Sequence, residues 1–201
     1  MISIFVTGGI GSGKSTLMRF FEKHGAAVVY ADEIGHANLL DEACKAELVA
    51  AFGSDILDEQ GEVIRSALAQ RAFATAEATA RMDAITQPRL YEGCLRALAQ
   101  AGQTHEVVVL EMAILDGRDT FYQNADIVVA VTTSPEVRVR RLMQSRGFTE
   151  EDARSRLARQ VPEEQRLAIA NVVFTNDGTV EEFEQELEAW WHAVIEPRLK
   201  G

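Results

Sequence analysis

Apolar residues follow two rhythms along this chain. Unbroken runs at residues 2–7, 26–30, 107–110, 127–131 and 172–175 are short and rich in Val, Ile and Phe, which predicts five buried strands. Between them apolar positions recur at three- and four-residue spacing, as at Leu17, Phe20 and Phe21 within residues 14–24, which predicts amphipathic helices. Strands alternating with helices predict an α/β fold, a five-stranded parallel sheet with helices on both faces.

Two stretches interrupt that alternation. Residues 33–104 carry helical patterns at 42–52, 65–74, 77–85 and 88–100 and are too long for one crossover helix, so they read as a helical insertion that shapes a substrate site. Residues 138–168 read as a lid within the core, with a helix-start signal at Thr149, Glu150, Glu151 and Asp152. A closing amphipathic helix over 180–199 turns Phe183, Leu187, Trp190, Trp191 and Val194 to the sheet, and of the two adjacent tryptophans only one can face the core fully. With no repeat or low-complexity linker, residues 1–201 read as a single core domain.

Charge narrows the choice of partners. The 201 residues carry 20 basic and 31 acidic side chains, a net charge of -11 that opposes general binding to nucleic acid or anionic membranes. The longest uncharged stretch, residues 1–13, is too short to span a bilayer, so a cytoplasmic protein without a membrane partner is expected. Cys44, Cys94 and the four histidines show no metal-ligand spacing. Against the overall acidity, eight of the sixteen arginines lie within residues 134–168, namely Arg138, Arg140, Arg141, Arg146, Arg154, Arg156, Arg159 and Arg166. They read either as a local anion site or as a solvated helix face with pairs such as Glu150 and Arg154.

The chemistry begins after the first strand. Gly8-Gly9-Ile10-Gly11-Ser12-Gly13-Lys14-Ser15 fits G-x-x-x-x-G-K-[ST] between a predicted strand and a predicted helix, the setting of a P-loop NTPase fold. Gly9, Gly11 and Gly13 let the backbone, with Ser12, aim N–H groups at a polyphosphate, and the helix N-terminus adds partial positive charge. Lys14 is expected on the β- and γ-phosphates of ATP, Ser15 on Mg²⁺, and Thr16 on the helix and the phosphate. Glu111 ends the third strand as a metal carboxylate or as a solvated strand end. Asp32 follows the second strand as a base for an acceptor hydroxyl or as a helix N-cap. Arg141 is expected to touch phosphate with Arg138 beside it, and Arg146, Arg156 and Arg159 to serve the lid. The turn at Asn176, Asp177 and Gly178 reads as an adenine contact or as a plain strand-to-helix turn.

No lysine follows an asparagine, which excludes an Asn-Lys-x-Asp guanine site, and Asp58-Glu59-Gln60-Gly61 reads as a turn. Small kinases remain, because phosphoryl transfer needs cations on the moving group and exclusion of water. Residues 7–16, Ala31-Asp32, Phe52-Gly53, Gly61, Arg65, Leu68, Phe73, Pro88, Ser134-Pro135-Glu136, Arg141, Arg146, Arg156, Gln160, Ala170, Asn176 and Gly178 occur in an order that resembles the dephospho-coenzyme A kinase family. The resemblance implies ATP with Mg²⁺, transfer of the γ-phosphoryl group to the ribose 3′-hydroxyl of dephospho-coenzyme A, a helical substrate domain, an arginine lid and Asn176 near the nucleotide. The chain departs from the family at Tyr30, Gln87, Asn171 and residues 113–117. These departures keep open a kinase of another nucleotide-like or small hydroxyl acceptor, or a nucleotide-binding regulator without catalysis.

Overall fold

In the computed structural model, residues 1–112 and 121–200 are described. They divide into two compact units, Met1–Val29 with Leu98–Gly201, and Tyr30–Ala97. The strands are β1 (Ile2–Gly8), β2 (Ala27–Tyr30), β3 (Val107–Glu111), β4 (Ile127–Thr132) and β5 (Val172–Thr175), in one parallel sheet of order β2-β3-β1-β4-β5. Each run of β-branched and aromatic residues became a strand within two residues of its predicted ends. Register aligns Ile4 with Val109 on one side and Ile127 on the other, and these central strands are almost wholly buried.

Strand order sets where a ligand can enter. From β1 the chain moves outward to β2 on one side, whereas β4 leads to β5 on the other, so the crevice of the sheet opens at the carboxyl ends of β1 and β4. Helix α1 (Lys14–Lys23) follows β1 and buries Leu17, Met18, Phe20 and Phe21. After β4 come α6 (Pro135–Arg146), α7 (Glu150–Ala158) and α8 (Glu163–Ile169). Thr149 caps α7 by accepting from the Asp152 N–H at 3.1 Å, as the start signal predicts.

The second unit holds α2 (Ala31–Asn38), α3 (Glu42–Phe52), α4 (Arg65–Ala72) and most of α5 (Ala76–Ala101). Its core gathers Cys44, Leu48, Phe52, Ile56 and Leu68. Asp58 accepts the Gln60 and Glu62 N–H groups at 2.9 and 2.8 Å, while Gly61 takes φ +80°, so this segment is the turn its sequence suggests. The helices expected at 77–85 and 88–100 are one helix, with Pro88 inside it. Proline removes one N–H from a helix interior. Around it, side chains add donors to the carbonyl row, Thr86 Oγ1 to Met82 and Arg89 Nη1 to Ile85, at 2.9 and 2.7 Å.

The tail also departs from expectation. It comprises α9 (Val180–Trp190), a π turn (Trp191–Ile195) and α10 (Glu196–Leu199), and it buries Phe183, Leu187, Trp191 and Ile195, leaving Val194 half-buried. Successive steps of four residues drift by about 40° each around an ordinary α-helix. Widening the turn keeps Leu187, Trp191 and Ile195 on one face, where Trp191 meets Phe20 with ring centroids 6.0 Å apart. Trp190 remains half-buried against Phe174, at 5.6 Å. Ile195→Ala is expected to lower the unfolding free energy by about 2–5 kcal/mol in urea titrations, and Val194→Ala by less than half as much. Equal losses would contradict this register.

Candidate functional site

Between β1 and α1 the chain turns sharply. Gly11 and Gly13 have φ of +75° and +101°, a left-handed backbone that side chains rarely adopt, and Gly13 N-caps α1. The ammonium of Lys14 folds over the loop, donating to the Gly8 carbonyl at 2.8 Å and lying 3.6 Å from the Glu111 carboxylate. Glu111 closes β3 in register with Val6 and is only 9% exposed. Ser15 is exposed in the first turn of α1, and Thr16 Oγ1 accepts from Arg19 Nη2 at 3.3 Å.

The loop is pinned from beneath by the ends of β4 and β5. Asn176, 5% exposed, donates through Nδ2 to the Ser12 carbonyl at 2.9 Å and accepts from Arg141 Nη2 at 3.2 Å. Thr133 Oγ1 lies within hydrogen-bond reach of the Thr132, Ser12 and Asn176 carbonyls, at 2.7, 3.0 and 3.1 Å. Arg141 Nη2 also reaches the Gly178 carbonyl at 3.2 Å, while its buried Nη1 has no hydrogen-bond partner among the described residues. Arg141 thus grips the turn after β5, and Asn176 joins that turn to the phosphate loop.

Arg138 approaches the loop from α6. Its Nε donates to the Ile10 carbonyl at 2.9 Å, and its Nη2 bonds the Gln160 carbonyl oxygen, which also accepts the Ile10 N–H at 3.0 Å. Gly9 is required for this approach rather than for an unusual φ, because a Cβ there would lie 2.7 Å from Arg138 Cζ. Burial pushes the guanidinium of Arg138 below its usual pKa, with Glu163 at 3.8 Å opposing, and Arg166 is lowered by burial and then by Arg138. Thr132 Oγ1 donates to Glu163 at 2.6 Å, which fixes that carboxylate between the end of β4 and the arginines.

The remaining lid arginines are exposed. Arg156 and Arg159 line a cleft of about 410 Å³ with Ile10, Asp152, Ser155 and Gln160. The Arg156 guanidinium stacks 4.4 Å from the Phe148 ring centroid, which limits its freedom. Arg146 closes α6 and is not among the cleft residues, and Arg154 pairs with Glu150 at 2.8 Å as a solvated face would.

On the other unit, Asp32 is exposed in the first turn of α2, two residues past β2. Tyr30, not Asp32, takes the N-cap position, so capping does not account for Asp32. Among the departures, Asn171 is structural: its Oδ1 accepts the Val128 N–H at 2.9 Å and its own N–H donates to the Val128 carbonyl at 3.0 Å. Residues 113–117 lie outside the described residues. Sequence reasoning left Thr133 and Glu163 unassigned, placed Arg166 only within the arginine cluster, and gave Gln160 no role beyond its place in the family-like order.

Among the described residues no three His, Cys, Asp or Glu side chains are grouped to hold a metal ion, and no helix is long and apolar enough to cross a membrane. A profile of the dephospho-CoA kinase family matches residues 2–182. A dephospho-CoA kinase of Corynebacterium glutamicum is 41% identical over 191 residues, covering 92% of this chain and 94% of its own. Among solved structures, TT1252 from Thermus thermophilus superposes with a TM-score of 0.80 at 28% identity over 96% of this chain and 97% of its own. The dephospho-CoA kinase from Campylobacter jejuni, at 23% identity and TM-score 0.75 over 98% of both chains, shares the fold.

Removing the amide that joins β5 to the loop leaves the Ser12 carbonyl and Arg141 each short of a partner. Asn176→Ala is therefore expected to cost about 1–3 kcal/mol of stability in denaturant titrations. A loss below about 0.5 kcal/mol would contradict the bridge.

Proposed function

The chain belongs to the dephospho-CoA kinase family, and we propose a residue-level account of how it carries out the ATP-dependent final step of coenzyme A synthesis. The observation that carries the proposal is the phosphate loop closed onto the start of α1, with Lys14 held between the Gly8 carbonyl and Glu111. The N–H groups of Gly11 and Gly13, with Ser12 between them and Gly9 leaving room, cradle the phosphates of ATP, and Thr16 supports them from α1. Lys14 spreads positive charge onto the β- and γ-phosphates. Arg138 holds the loop edge, and Arg156 and Arg159 bring the lid cations to the transferring group, with Arg146 at its base. Arg141, with one buried nitrogen unpartnered among the described residues, adds charge beside the turn, where Asn176 and Gly178 form the adenine contact.

Mg²⁺ fits the oxygens at hand. It favours one or two protein oxygens together with substrate phosphates over an all-protein cage, and the Ser15 hydroxyl and the Glu111 carboxylate match that preference. When bound, Mg²⁺ neutralises charge on the β- and γ-phosphates.

Asp32 acts as the base. Its carboxylate takes the proton of the ribose 3′-hydroxyl of dephospho-coenzyme A as that oxygen bonds the γ-phosphorus. The bond from that phosphorus to the bridging oxygen breaks, and ADP leaves. Support for Asp32 comes from its exposed position just past β2 and from its place inside the first turn of α2 rather than at the N-cap. The proposal extends to a cytoplasmic protein.

Lys14→Ala is expected to abolish turnover with the melting temperature retained, and Asp32→Asn to lower turnover by roughly 10² to 10⁴ while ATP affinity holds. Coupled assays of ADP release from ATP and dephospho-coenzyme A, with calorimetric ATP titrations, check both. Near-normal turnover of Lys14→Ala would overturn the loop assignment, and a loss of stability alone in Asp32→Asn would overturn the base.

A further inference from the structure

The side chain of Gln160 sits where three parts of the first unit meet. It lies two residues beyond the end of α7 and lines the cleft with Arg156 and Arg159. Its single carbonyl oxygen accepts both from the Ile10 N–H at 3.0 Å and from Arg138 Nη2. Arg138 closes the ring by donating Nε to the Ile10 carbonyl at 2.9 Å. The N–H and the carbonyl of one phosphate-loop residue are thus held together, from α6 and from the segment after α7. An amide oxygen has two lone pairs, so it can serve both donors at once, and the one from Arg138 is charge-assisted.

Gly9 bears independently on this ring. A Cβ at residue 9 would overlap the Arg138 guanidinium and stand 3.0 Å from the Gln160 oxygen, so the absence of a side chain there makes room for the three-way contact. Arg138 is 7% exposed and cannot turn to solvent for a substitute partner. Without the Gln160 acceptor, the Ile10 N–H and one arm of a buried cation would each lose a bond that the loop geometry depends on.

We propose that Gln160 is a positioning residue for phosphoryl transfer: through its carbonyl oxygen it fixes Ile10 of the phosphate loop to Arg138 of α6 from the segment that follows α7. The inference rests on the kinase reading above for its kinetic arm only. In this role Gln160 holds the edge of the loop against which the moving phosphate is aligned. Misplacement of such a scaffold by a fraction of the reacting distance lowers the rate of the chemical step more than it lowers substrate binding.

The test uses the full chain and two measurements. Gln160→Met keeps the length and removes the acceptor, Gln160→Asn keeps polarity but draws the acceptor back by one methylene, and Gln160→Glu restores acceptor oxygens at the original reach. Expected for Gln160→Met and Gln160→Asn is a kcat about 10- to 100-fold lower, with the KM for ATP changed less than about threefold. Gln160→Glu recovers most of that loss. Hydrogen exchange of the Ile10 amide, read on the protein alone, is expected to quicken by about tenfold or more in the first two variants and to return in the third. Unchanged Ile10 exchange in Gln160→Met and Gln160→Asn would overturn the proposal whatever the activity, as would equal kinetic losses in all three variants. Absence of turnover in the unsubstituted chain would instead strike the kinase reading and leave the exchange result to judge the contact.

Discussion

A loop that aims its N–H groups at an anion turns its carbonyls away from it, and those carbonyls must find donors elsewhere in the fold. Much of the first unit is organised around this requirement. Lys14 serves the Gly8 carbonyl, the Ser12 N–H that of Gly9, and Arg138 that of Ile10. Asn176 serves Ser12, with the Thr133 hydroxyl also in reach of that carbonyl, while Thr16 and Leu17 serve Gly13. Apart from Ser12 in the loop itself, the donors come from α1, α6 and the ends of β4 and β5, so the crevice of the sheet is where they converge.

Meeting this demand with arginine brings its own difficulty. Arg138 and Arg166 are 7% and 3% exposed, so burial opposes the charge on each, and the Arg138 cation further opposes that on Arg166. Glu163 relieves both, and Thr132 orients it at the last residue of β4. The end of one strand therefore supports the loop twice, through Thr133 directly and through Thr132 by way of Glu163 and Arg138. A neutral donor in place of Arg138 would spare the burial of charge but would forgo a cation beside the loop.

What was legible in the sequence was local. The glycine loop, Lys14, the five strands and the Thr149 cap each depend on a few consecutive residues, and the pattern of those residues sufficed. Long-range partnerships were not: Asn176 reaches the Ser12 carbonyl across 164 positions, and Gln160 reaches Ile10 across 150. The Asn176 turn left two readings open because a contact with adenine and a turn use the same residues, whereas its side chain is engaged in joining loop, turn and Arg141. The tail shows another limit. An α-helical wheel favours Val194, and only a wider turn brings Ile195 to the core.

Thr133 gives the most direct access to the carbonyl constraint, because its hydroxyl stands between the Ser12 and Asn176 carbonyls while its side chain is 2% exposed. Thr133→Val keeps the shape and removes the donor. Calorimetric titration with Mg²⁺ and inorganic tripolyphosphate, which carries neither base nor sugar, isolates the loop from the rest of the nucleotide site. A dissociation constant raised about tenfold or more, with the melting transition still cooperative, is the result expected if outward carbonyls set the loop. Unchanged tripolyphosphate affinity in the folded variant would contradict it.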